Sequence, residues 1–441
     1  MQNLTREGYT MKSIKKPELL LPAGSLNRLK TAFLYGADAV YAGMPGVCLR
    51  NKISFTAEEM KEGIEYAHSL GKKVYLTVNL FTHNKDIERV ENFITLLKDL
   101  NPDGVIVADP GVFARIKEEI PTLPLHISTQ ANVCSTLTVN FWKQQGASLC
   151  VLGREVPLHE IKEIREACPD IKIETFIHGA LCVSYSGRCL LSNFMTGRSA
   201  NKGNCAHSCR WRYKIYEAEQ KKPNNDSAYY IEEETRQGEL MRIDEDENGT
   251  YIMNSRDLCW LPRLNDLLPI GIDSFKIEGR NKSEYYAAIT ARTYRHAIDD
   301  WFNDPENWNP DKYMDELMTL QSRGYTVGFL DGNAGPEAHN YDVSASLGSW
   351  RYAGLVKGSK DGRIIMEIKH KIQKGMILEF LSPFKLEPIQ ITVGDFYDHR
   401  TGNEAEVISS GHLGQAIEIP LPTEIIEILP ELTVVRTRIE E

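Results

Sequence analysis

Eight short apolar, β-branched runs recur between Glu18 and Arg280 with amphipathic stretches filling the intervals, an alternation that restricts the chain to βα units building a parallel sheet. The runs are Glu18 to Ala23, Asp38 to Gly43, Lys73 to Asn79, Asp103 to Asp109, Leu125 to Thr129, Leu149 to Glu155, Ile173 to Gly179 and Asp273 to Arg280. Eight is the number of strands that closes a TIM-type (β/α)8 barrel, and an open doubly wound sheet is the competing arrangement. Helical periodicity falls at Leu26 to Tyr35, Ala57 to Leu70, Asp86 to Leu100, Pro110 to Glu119, Ser135 to Gln145 and Leu158 to Ala167, with Ser283 to Asn303 closing the outer ring. Gly36, Gly71 and Gly146 stand where helices stop.

At 441 residues the chain exceeds the roughly 250 to 300 residues that one core supports. The expected layout is an N-terminal extension (1–16), the barrel (17–303), a connector (304–349) and a C-terminal domain (350–441). The last reads as a small all-β barrel, with strands at Gly354 to Lys357, Ile364 to His370, Met376 to Leu381, Ile389 to Asp395 and Leu432 to Arg438. One connection breaks the βα rhythm: an insertion (180–272) separates the seventh strand from the eighth, far longer than a plain loop needs. It leaves from the C-terminal ends of the strands, where barrel active sites sit, and carries a strand-like hairpin around Asp246 to Asn254.

No apolar run reaches the roughly 20 residues that span a bilayer, and the first 16 residues lack the apolar core of a secretory signal, so a cytoplasmic protein with no membrane partner is expected. A net charge of −10 speaks against coating nucleic acid by bulk positive charge. Charge is nevertheless patterned. No Asp or Glu occurs between Phe176 and Tyr216, while Arg188, Arg198, Lys202, Arg210, Arg212 and Lys214 all fall there. Arg210, Trp211, Arg212 and Lys214, with Tyr213 among them, mix fixed charge with aromatic faces as single-stranded RNA recognition does, although a solvated surface strand would look the same.

Inside that basic island lie Cys182, Cys189, Cys205 and Cys209, with spacers of six, fifteen and three residues. In a reducing compartment clustered thiols bind metal more often than they form disulfides. Four thiolates complete either an iron–sulfur cluster, 4Fe-4S in the fullest case, or a tetrahedral zinc site, and spacers longer than the usual zinc pairs favour the cluster. Cys134, Cys150 and Cys168 sit singly in strand or helix patterns and read as buried thiols; Cys48 and Cys259 are reserve ligands.

Polar side chains at the strands' C-terminal ends are the catalytic candidates: Asn79, Asp109, Gln130, Arg154, Glu155, His178, Glu278 and Arg280. His178, four residues before Cys182, is placed to act as acid or base, or else is a hydrogen-bonded loop histidine. Glu278 and Arg280 alternate on one strand, so they are expected to point the same way as a charge-paired floor. HExxH, GxSxG and glycine-lysine phosphate loops are missing, which removes support for conventional proteolysis and nucleotide hydrolysis.

The run Glu174, Phe176, Gly179, Ala180, Leu181, Cys182, then Gly187, Cys189, Leu191 and Ser192 resembles the signature of the collagenase-like peptidases of unassigned catalytic type. PELLLPAG near the start and SFKIEGR at the eighth strand match as well, and the similarity covers nearly the whole chain. Within that family the CAHSCRW and GTYIMNSRDL segments most resemble the tRNA uridine hydroxylation proteins. The resemblance implies oxygen-independent formation of 5-hydroxyuridine at the wobble position, with an iron–sulfur cluster on Cys182, Cys189, Cys205 and Cys209. It also implies prephenate as the small anionic metabolite, the tRNA anticodon arm as partner, and a partner protein of the same family. Relatives that hydroxylate a ribosomal cytidine or the ubiquinone ring give the alternatives, together with the peptidase activity of the family's historical name. Some relatives recruit a cysteine from elsewhere in place of one of the Cys205 to Cys209 pair, which keeps Cys48 and Cys259 in reserve.

Overall fold

A computed structural model of the chain describes residues 14–45, 47, 55–80, 82–181, 255–332, 348–410 and 414–439, with 184, 189, 191–196, 198, 205–211 and 338. It also gives the backbone of 5–6, 9–10, 213–217, 229–233, 240–243, 245–246 and 249–250. Eight parallel strands are present: β1 (Glu18–Pro22), β2 (Ala39–Gly43), β3 (Lys73–Val78), β4 (Gly104–Val107), β5 (Leu125–Ile127), β6 (Leu149–Val151), β7 (Lys172–Gly179) and β8 (Ser274–Ile277). Each pairs with the next, and β8 pairs in parallel with both β7 and β1, so the sheet is a closed barrel and the open alternative is set aside.

The closure explains why the strands read as unbroken apolar runs, since both of their faces are covered. Leu20, Ala39, Tyr41, Tyr75 and Ile106 pack inside the barrel, while Leu19, Leu21, Val40, Val74 and Val105 face the helical ring. The helices fall where periodicity put them, and polar caps fix their starts: Ser25 accepts from the Arg28 amide, and Thr56 and Glu59 form a reciprocal capping box. At Gly36 the chain turns with φ +106°, and a Cβ there would stand 2.7 Å from Arg295 Cγ, so both conformation and space require glycine.

In the insertion, Tyr213–Glu217, Tyr229–Glu233 and Leu240–Ile243 form a small antiparallel sheet, and Glu245–Asp246 pairs with Gly249–Thr250 as the expected hairpin. Residues 251–254 of that hairpin lie outside the described residues. The chain returns through the strand Asp257–Cys259, which pairs antiparallel with the end of β7 and parallel with Tyr325–Thr326.

The connector region contains a helix, Asp311–Met318, whose Tyr313 and Leu317 are buried one turn apart. Beyond it the C-terminal strands form an eight-stranded antiparallel sheet with its own core of Val356, Ile364, Met366, Phe380, Phe396, Ile417 and Val435. The expected small all-β domain is present as a half-barrel, with Ile389–Thr392 and Glu404–Ala405 at the two ends of its strand order. Strands Phe396–Asp398 and Ala416–Pro420 complete it.

The two parts share a buried seam. Tyr35, 1% exposed, donates to the Leu381 carbonyl (2.7 Å) and accepts from the Val434 amide (2.9 Å). Arg436 bonds Glu316 (2.9 Å) and Glu379 (2.7 Å), and Arg292 reaches the same Glu316 (2.7 Å). Among the described residues no helix is long and apolar enough to cross a membrane.

Candidate functional site

The barrel interior is polar along its axis. Near the N-terminal end Glu18 accepts from Tyr75 Oη (3.0 Å) and pairs with Lys73 (2.7 Å), and burial raises its carboxyl above the ordinary value. His126 packs against Tyr75 with ring centres 4.6 Å apart; burial, then the positive charges of Lys276, Lys172 and Lys73, push it down to about 3. One layer up, Glu174 accepts from Lys276 Nζ (2.7 Å) and Ser274 Oγ (2.8 Å), and the ammonium lies 4.5 Å from the Tyr41 ring centre and 5.5 Å from that of Phe176. Each partner of this buried pair is hydrogen-bonded in place, which offsets the cost of burying it.

The C-terminal mouth is built on that layer. Arg154 lays its guanidinium 3.9 Å from the Phe176 ring centre and pairs with Glu278 (3.5 Å), which also accepts from Tyr41 Oη (3.3 Å). Arg280 donates to Thr77 Oγ1 (2.7 Å), and Asn79 Nδ2 donates to Gln130 Oε1 (2.7 Å). Arg280 Nε and Gln130 Nε2 are buried and have no hydrogen-bond partner among the described residues. Donors left this way beside a stacked guanidinium make a site suited to an anion carrying oxygen acceptors.

Three expectations change here. Glu278 and Arg280 do not pair with each other, because β8 ends at Ile277 and Gly279, at φ +150°, turns the chain between them. A Cβ at Gly279 would lie 2.6 Å from the Tyr286 ring. Glu278 goes to Arg154 instead. His178 does not face the mouth alongside Glu174 and Phe176. Pairing with β8 runs Lys276 to Phe176 but Ile277 to His178, so Ile177 is an extra residue that turns His178 outward. There, 1% exposed, it sits among Tyr286, Tyr294 and Tyr325 with Tyr294 Oη 3.3 Å from Nδ1, and burial drives it to about 3, keeping it neutral. Asp109 is engaged as a helix cap, accepting from the Gly111 (2.8 Å) and Val112 (3.1 Å) amides. Glu155 accepts from Cys134 Sγ (3.6 Å).

Tyr41, Thr77, Phe176 and the Glu174–Lys276 pair were not among the sequence candidates. The signal was present, because a glutamate inside IETF and a lysine inside SFKI place charge in otherwise apolar barrel strands.

The cysteine segment packs its short helix Leu191–Thr196 against the turn Ser208–Arg210. Ser192 Oγ donates to the Arg198 carbonyl (2.6 Å) and accepts from the Ala206 amide (2.8 Å), while Arg198 reaches the Cys205 carbonyl (3.4 Å). The His207 amide donates to Cys205 Sγ (3.3 Å), and Trp211 Nε1 donates to the Ala206 carbonyl (3.2 Å). Cys189, Cys205 and Cys209 are half-buried. Cys182 and Cys48 lie outside the described residues, as does Arg212; of Arg210 and Lys214 only the backbone is described. Among the described residues no three His, Cys, Asp or Glu side chains converge as a metal site. The donor chemistry nonetheless fits a soft metal or cluster: thiols free of disulfides, with an amide hydrogen bond on one sulfur. Cys259 is 2% exposed against Tyr294 (3.6 Å) and Met314 (4.0 Å), and burial pushes its thiol up to about 11, which suits packing.

The sequence pattern of peptidase family U32 matches residues 24–340, and that of the peptidase family U32 C-terminal domain matches 348–429. Over 93% of this chain and 95% of its own length, tRNA hydroxylation protein P of Escherichia coli (strain K12) is 38% identical. Its counterpart of the same name in Haemophilus influenzae is 40% identical over 84% of this chain and 88% of its own. The 23S rRNA 5-hydroxycytidine C2501 synthase of Escherichia coli is 34% identical over 64% of this chain and 39% of its own.

Proposed function

The chain belongs to peptidase family U32, and from that premise we propose that it is an RNA-modifying hydroxylase acting on tRNA, converting wobble uridine to 5-hydroxyuridine without dioxygen. The names of its relatives supply the class, both tRNA and rRNA hydroxylation being represented among them. The observation that carries the reading to residues is the barrel mouth, where Arg280 Nε and Gln130 Nε2 are buried without a hydrogen-bond partner among the described residues and Arg154 stands over Phe176.

In this reading Arg154 and Arg280 bind and orient a small anionic co-substrate such as prephenate, Gln130 donates to one of its oxygens, and Asn79 holds the Gln130 amide in orientation. Glu278, fixed by Arg154 and Tyr41, is the proton acceptor at the mouth. Cys182, Cys189, Cys205 and Cys209 would hold an iron–sulfur cluster, which when bound supplies one-electron transfer; a zinc ion on the same thiolates would serve structure alone. The basic segment around Arg210, Trp211, Arg212 and Lys214 meets the anticodon arm. A deletion strain complemented with wild-type, Arg154→Lys or Cys182→Ser genes, with tRNA nucleosides read by mass spectrometry, tests this. Wild type restores 5-hydroxyuridine and its derivatives, Cys182→Ser does not and Arg154→Lys restores less; levels that deletion leaves unchanged overturn the reading.

A further inference from the structure

Between the connector helix Asp311–Met318 and the C-terminal sheet lies a cleft of about 370 Å³ lined by Lys312, Asp315, Glu316, Trp350, Glu387 and Arg436 among others. The Arg436 guanidinium stands 4.4 Å from the Trp350 ring centre and is itself immobilised by Glu316, Glu379 and Thr319, so the indole is held by a rigid contact. Arg438, cross-strand partner of Trp350, is exposed and looser at 5.7 Å.

The charges in the cleft divide into two groups. Glu316 is neutralised by Arg292 and Arg436, and Lys312 by Asp300 (2.8 Å). Asp315 and Glu387 are exposed and form no ion pair among the described residues. Uncompensated carboxylates repel a phosphate but accept readily from an N–H edge. Exposed cations that would meet a phosphate backbone flank the aromatic residues, Arg438 cross-strand from Trp350 and Lys385 next to Phe384 in the chain. Beside them Phe384 is 73% exposed, on a loop that Arg292 anchors through the Ser382 (3.2 Å) and Lys385 (3.4 Å) carbonyls. Aromatic faces flanked by cations are the arrangement that takes single-stranded nucleic acid.

We infer that this cleft holds one unpaired base of a single-stranded RNA segment, stacked on Trp350, with Asp315 and Glu387 accepting from its amino edge. Adenine, cytosine and guanine carry such an amino group and uracil does not, so the cleft reads a neighbour of the modified uridine rather than the uridine itself. The inference rests on RNA being the substrate.

Fluorescent hexaadenylate and hexauridylate titrated against the full chain by anisotropy test it. Wild type binds hexaadenylate more tightly; Trp350→Leu weakens that binding about tenfold or more, the loss expected for one stacked base, and Trp350→Phe retains it. Glu387→Gln narrows the preference between the two oligonucleotides. Equal affinities for both in wild type, or wild-type binding by Trp350→Leu, overturns the cleft site. The adenylate preference with its loss in Trp350→Leu, in a protein whose deletion leaves 5-hydroxyuridine unchanged, keeps the cleft and removes the hydroxylase reading.

Discussion

The Arg154 guanidinium stands over Phe176, 3.9 Å from its ring centre, joining the loop after β6 to the middle of β7. The ring and the Glu278 carboxylate together hold the guanidinium in place before any ligand arrives. Lysine at this position would keep the charge and lose both the plane and the fork. Arg154→Lys should therefore lower hydroxylation about 10- to 150-fold, the rate equivalent of one charge-assisted hydrogen bond, while thermal unfolding stays close to wild type. Nucleoside mass spectrometry and calorimetry on the same preparation check the two halves; an unchanged rate would remove Arg154 from the site.

Tyr35 is a single hydroxyl serving both parts of the molecule, donating to Leu381 and accepting from Val434 while 1% exposed. Tyr35→Phe leaves the packing and strands a buried carbonyl and a buried amide. The expected loss is about 1–3 kcal/mol in urea unfolding, appearing first in probes of the C-terminal sheet.

The barrel was legible in the sequence because a parallel strand covered on both faces reads as a mainly apolar run, as LLLP in β1 and VYLTV in β3 do. The half-barrel was less so. Phe396–Asp398 is too short to show alternation, and the connector helix hides between Pro305, Pro310 and Gly324 with only Tyr313 and Leu317 marking its buried side. His178 shows a different limit. Its alternation with Glu174 and Phe176 predicts a mouth residue, and one extra residue at Ile177, visible only in the pairing with β8, reverses its side.

Arg436 is 3% exposed; it bonds Glu379 on the adjacent strand of its own sheet and both oxygens of Glu316 across the seam. Arg436→Met keeps volume but leaves Glu379 buried without its cation, a loss of about 3–5 kcal/mol by the usual cost of breaking a buried pair. Restoring neutrality with Glu379→Gln in the same chain should recover part of that loss. A double-mutant cycle by chemical denaturation measures the coupling, and additive single effects would refute it.

His126 and His178 make folding stability fall with acid in a window their environments define. Both are held near 3 in the folded chain, by burial first, against an unfolded value near 6.5. Between those values the unfolded chain binds a proton at each that the folded chain does not, so stability is complete above about pH 6.5 and declines as pH falls toward 3. From pH 7 to 5 each histidine contributes a loss of about 2 kcal/mol, a figure insensitive to the folded value so long as that lies below 5. Glu18 works in the opposite sense, since burial raises its carboxyl and lets the folded chain take up a proton earlier, so the slope of wild type alone is a sum of unlike terms. The difference between wild type and His126→Leu isolates one histidine. Leucine fills the interior beside Tyr75 and removes a ring whose Nδ1 has no hydrogen-bond partner among the described residues. Urea unfolding at pH 7 and 5 should show the variant losing about 2 kcal/mol less than wild type, and equal losses would mean that His126 is already free to take its proton in the folded barrel.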